Sequence, residues 1–166
     1  FIEETRQQCR FAQVAFRALK DSVQTSSLDL AFLHALSFIQ HACQVSRLLQ
    51  PDRKGSRKRG EFLRRELDTG KDVLQSIRAF RDREGTSDEW FEDWLASLSD
   101  LDYVDMNMMP LGTMTGFKED AFQRNLDPEV LQLRLRGQVC DLPKTAAELG
   151  RIETGCDRWL RTHSPW

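Results

Sequence analysis

The chain has 166 residues, of which 40% are hydrophobic and 30% charged, and its formal net charge is −2. These are the proportions of a folded globular domain, long enough to bury a real core. The near-zero charge excludes an overall drive toward nucleic acid or membrane surfaces, and no apolar run approaches the ~20 residues that span a bilayer.

The opening "FIEETRQQCRF" is acidic and amphipathic, unlike a signal peptide. Ile2, Cys9, Ala12, Phe16, Leu19 and Val23 recur at helical spacing and predict a helix from Ile2 to about Gln24. "TSSLD" breaks it, with Ser27 placed to cap the next helix. From Leu28 to Leu49 the stripe is Leu30, Leu33, Leu36, Ile39, Ala42, Val45 and Leu49, widened by Phe32 and Phe38. This reads as the most buried element, and Pro51 ends it.

The next stretch is basic. Arg53, Lys54, Arg57, Lys58, Arg59, Arg64 and Arg65 face a single carboxylate, Glu61. Its glycines predict a loop that feeds a short helix around Glu61 to Leu67. Phe62, the one aromatic residue in the run, reads as core-facing, so no ring is expected to stack bases between the cations. Val73 to Phe80 reads as a helix with Leu74, Ile77 and Phe80 or Arg81 on one side. In "EGTSDEW", Thr86 or Ser87 caps another helix whose apolar face is Trp90, Trp94, Leu95 and Leu98.

After Asp100 the helical period disappears. "YVDMNMMPLGTMTGF" is irregular, whereas Leu131, Leu133 and Leu135 alternate with Gln132, Arg134 and Arg136 as in a strand with one apolar face. "LDPE" supplies a turn before it, predicting a small antiparallel ribbon. Lys144 to Thr162 closes the chain as a helix with Ala146, Leu149, Ile152, Cys156, Trp159 and Leu160 inward. The expected architecture is mainly α, a single domain over residues 1–166. A helical bundle (1–100) is followed by a loop and β-ribbon (101–143) and a closing helix (144–163).

The chemistry-bearing residues are sparse. Cys9, Cys43, Cys140 and Cys156 are scattered with no C-x-x-C pair, so buried thiols in a reducing cytoplasm are expected rather than zinc or disulfides. Asp82 to Asp105 holds nine acidic residues, and the spacings Asp88–Glu92 and Glu89–Asp93 read as a solvated helix face rather than a cation site. His34 and His41 are seven apart, too far for joint metal binding, and read as partly buried polar groups. There is no G-x-S-x-G, P-loop or G-x-G-x-x-G, so no cofactor and no metal are expected.

Taken in order, "HALSFIQHACQVSRLLQP", the basic loop, "DYVDMNMMPLG", "FQRNLDPEVLQLRLRG" and "CDLPKTAAELGRI" resemble a family of small bacterial helical proteins of the HEPN class. That resemblance covers nearly the whole chain. It implies a dimeric cytoplasmic bundle, related to metal-independent ribonucleases of toxin–antitoxin and defence systems and to members that only bind. The class active site is an Arg, usually followed by a polar residue, with a His four to six residues on. Histidine moves protons near neutral pH and arginine stabilises charge on phosphate. Here Arg78 keeps the arginine, Ala79 replaces the polar residue, Arg83 stands near the histidine position, and no histidine occurs between His41 and His163.

Arginine cannot replace that base. Arg158 and His163 form the one R-x4-H spacing left, a match that eighteen arginines make easy by chance. The expectation is therefore a non-catalytic module that binds a protein partner, RNA or another polyanion, with the basic run from Arg53 to Arg65 and the region around Arg78, Arg81 and Arg83 as its contact surfaces. The alternative is a metal-independent endoribonuclease using Arg158 and His163.

Overall fold

A computed structural model describes residues 1–83, 87–99 and 102–163. Among them are six helices, α1 (Ile2–Gln24), α2 (Leu28–Leu49), α3 (Arg57–Glu66), α4 (Arg78–Arg81), α5 (Ser87–Ser97) and α6 (Leu142–His163). An antiparallel sheet of three strands, β1 (Arg124–Asp127), β2 (Gln132–Leu135) and β3 (Gln138–Asp141), precedes α6. The fold is mainly α, as the periodicity predicts.

The long helices form the frame. α1 runs antiparallel to α2, with Phe16 against Phe38 and His41 Nδ1 hydrogen-bonded to Gln8 Oε1 at 2.8 Å. It also runs antiparallel to α6, where Arg6 pairs with Asp157, Arg10 with Glu153, and Gln13 Nε2 donates to the Ala146 carbonyl at 2.7 Å. α1 therefore lies between two partners, and its buried stripe includes the small residues Cys9, Ala12 and Ala15 beside Leu19. No helix among the described residues is long and apolar enough to cross a membrane.

The sheet lays one row of side chains, Leu126, Leu133 and Cys140, against this core, all fully buried in cross-strand register. Leu131 and Leu135 flank Leu133 but are only half-buried, since the strand is four residues long and bounded by positive φ angles at Leu131 and Arg136. β2 and β3 join through Arg136 and Gly137, both at positive φ, the I′ geometry that matches strand twist. The irregular "YVDMN" is extended apart from a bend at Met106, where φ is 54°. Val104 and Asn107 run parallel beside Phe122 and Asn125, closing the outer edge of β1.

Several elements differ from expectation. α3 starts at Arg57, not near Glu61, and takes Gly60 into its interior: a Cβ there would lie 2.5 Å from Pro51 Cδ, so the glycine lets α3 approach the end of α2. Val73 to Phe80 is not one helix. Leu74 sits at φ 53°, its N–H donated to Glu148 Oε1, and only a 3-10 turn (Gln75–Ile77) and α4 follow. Leu30 and Leu33 are 48% and 58% exposed because α2 turns them away from α1. Phe62 is 41% exposed, while Leu63 beside it is buried. Ser27 occupies the N-cap position of α2 without a side-chain capping bond. Ser87 is the first residue of α5, and Thr86, the other capping candidate, lies outside the described residues.

Candidate functional site

The motif region is built around the end of α2. A helix leaves its last carbonyls without intrahelical donors, and here arginines supply them. Arg81, 8% exposed, donates to the Gln50 carbonyl at 3.1 Å and to Ser46 Oγ at 3.4 Å, and pairs with Asp52 and Asp82. Arg64 donates to the Leu49 carbonyl. Arg78 Nε donates to Gln50 Oε1 at 2.8 Å and its Nη2 to the Lys71 carbonyl at 3.0 Å. Gln50 in turn donates to the carbonyls of Lys71 and Val73, which ties the loop after α3 to α2.

These residues wall a cleft of about 420 Å³ with Arg57 and Glu61 and no histidine. The arginines of the motif stretch are thus engaged in holding a helix end. Arg83 points elsewhere, to Asp93 on α5 at 3.2 Å. The acidic face of α5 is exposed as expected, and no group of three or more His, Cys, Asp or Glu among the described residues could hold a metal.

Arg158 and His163 do not converge. Five residues apart on α6, they project about 140° apart around the axis. Arg158 borders a groove of about 730 Å³ between α6 and the 67–73 loop, where Lys71 and Arg151 are balanced by Asp68, Asp72 and Glu148. His163 stacks on Trp159, and its Nδ1 lies 2.9 Å from the Trp159 carbonyl.

The basic run divides into two groups. Arg64 caps α2, Arg65 pairs with Glu66, and the Arg59 guanidinium lies over the Phe1 ring. Arg53, Lys54, Arg57 and Lys58 are exposed, and among the described residues none of them has an ion-pair or side-chain hydrogen-bond partner. They occupy a 3-10 turn (Lys54–Ser56) with its preceding residue and the first turn of α3. Cations at a helix N-terminus add to the positive potential of its free N–H groups, an arrangement that disfavours the fold slightly and attracts anions. Sequence spacing located this group but could not separate its free members from its structural ones. The second expected contact surface is corrected: Arg81 is buried at the end of α2, Arg78 serves Gln50 and the Lys71 carbonyl, and Arg83 pairs with Asp93.

The four cysteines are buried. Burial pushes the Cys140 thiol up to about 11 and Cys156 to about 12, so neither is a nucleophile at neutral pH. His41 is held below its ordinary value by burial. No family model matches the chain, and neither a curated protein nor a solved structure does.

Proposed function

We propose that the chain is a non-catalytic, HEPN-like binding module that engages RNA or another polyanion through Arg53, Lys54, Arg57 and Lys58. The observation that carries this reading is the grouping of four exposed, unpaired cations on one turn and the adjoining helix start. These cations would displace the counterions condensed on the phosphates, so binding is electrostatic and salt-dependent. Two features favour binding without turnover: the motif stretch has no histidine, and Arg78 already serves Gln50 and the Lys71 carbonyl.

The test is a gel shift of labelled RNA at low and near-physiological salt, with and without chelator. The expected result is a shift of intact RNA. Four phosphate contacts give a slope of about −3 in log affinity against log salt on a single strand. Exchanging Arg57 and Lys58 for Glu should remove most of the shift. Chelator-resistant cleavage lost in His163→Ala would overturn the reading in favour of a ribonuclease.

The homodimer that the resemblance implies belongs to the same proposal. Its support is the outer face of α2, where Leu30 and Leu33 are exposed on a helix with no Asp, Glu, Lys or Arg from Leu30 to Ser46.

A further inference from the structure

Aromatic rings lie beside one of the free cations, Lys58, whereas Arg57 faces the cleft at the end of α2. Lys58, Phe62 and Arg65 are spaced i, i+4, i+7 and share one face of α3. Phe62 meets Phe1, which is 67% exposed, and the half-buried Trp159 around a hollow of about 240 Å³. Each ring carries a cationic or imidazole group. The guanidinium of Arg59 is 4.6 Å from the centre of Phe1, and that of Arg65 is 5.5 Å from the centre of Phe62. The His163 ring stacks on Trp159 at 4.3 Å with 9° between the planes.

Two of the nearby carboxylates are already engaged, whereas Glu61, beside Phe62 on α3, is exposed. Glu66 accepts from Arg65 and from Trp159 Nε1, which fixes the indole, and Glu3 pairs with Arg6. The hollow is smaller than the pockets that enclose drug-sized ligands, and it is lined for flat rings.

We infer that this patch takes the unstacked bases of a single-stranded nucleic acid while Lys58, on the same face of α3, holds its phosphates; the inference rests on the polyanion reading above and names the ligand. Every base has a π-face, so exposed aromatic rings stack them without sequence preference, and an arginine beside the ring adds a cation–π contribution. A duplex keeps those faces covered by its own stacking. Polyphosphate offers charge and no rings. The three probes therefore separate stacking from charge.

The experiment is a fluorescence-anisotropy competition at near-physiological salt among short oligothymidylate, the same strand paired with oligodeoxyadenylate, and polyphosphate. Oligothymidylate should bind about tenfold or more tighter than the other two. Phe62→Ala should weaken oligothymidylate by about fivefold or more and leave polyphosphate unchanged. Trp159→Ala is the second variant, with unchanged thermal melting of both as the folding control. Exchanging Arg57 and Lys58 for Glu should weaken all three probes. If duplex and polyphosphate match the single strand, or both aromatic variants bind it as the parent does, the inference falls and the polyanion reading stands. If no probe binds, both fall.

Discussion

Arg81 is a charged side chain built into the fold. It is buried, and it satisfies a helix-end carbonyl and a buried serine while two exposed carboxylates balance its charge. Arg81→Ala leaves those groups without a donor, and we expect a loss of about 2–4 kcal/mol in urea unfolding. His41 is a titrating example. Burial lowers its folded pKa below the ordinary 6.5, so the unfolded chain binds the proton more readily. Its contribution is therefore intact above the unfolded value and is lost as pH falls through the window down to the folded one. Unfolding free energy measured between pH 5 and 8 should rise with pH, and His41→Gln should flatten that rise.

At the scale of elements, close approach decides what the local sequence permits. α3 touches the end of α2 because Gly60 has no side chain. Gly60→Ala should cost about 1–3 kcal/mol by overpacking, read as a lower denaturation midpoint. The β2–β3 turn depends on Gly137 at φ 81°. Gly137→Ala should cost about 1–2 kcal/mol in the same assay, because an L side chain is strained there. The helix expected over Val73 to Phe80 fails for a reason no window of sequence contains. Glu148, on α6, accepts the Leu74 N–H and holds Leu74 in a left-handed conformation.

For the whole molecule, a net charge of −2 hides a strong division between a cationic α3 end and an acidic α5. Raising salt should weaken polyanion binding while leaving the thermal midpoint nearly unchanged, since the four free cations take no part in intramolecular pairs. Parallel anisotropy and melting curves check this. Association through the uncharged face of α2 should respond to Leu33→Glu in light scattering and not to salt.

The sequence by itself determined the helices with long, regular stripes, α1, α2 and α6, and the alternation of β2, because burial on one face imposes a period that survives without knowledge of the partner. It also located the cationic run. Tertiary structure decided what the stripes could not: which leucines of α2 meet α1, that Gly60 lies inside a helix, and that Phe62 faces out while Leu63 faces in. It alone sorted the seven cations into helix caps, ring partners and free charges. A side chain's partner comes from another element, and the free energy of that contact is absent from any local pattern.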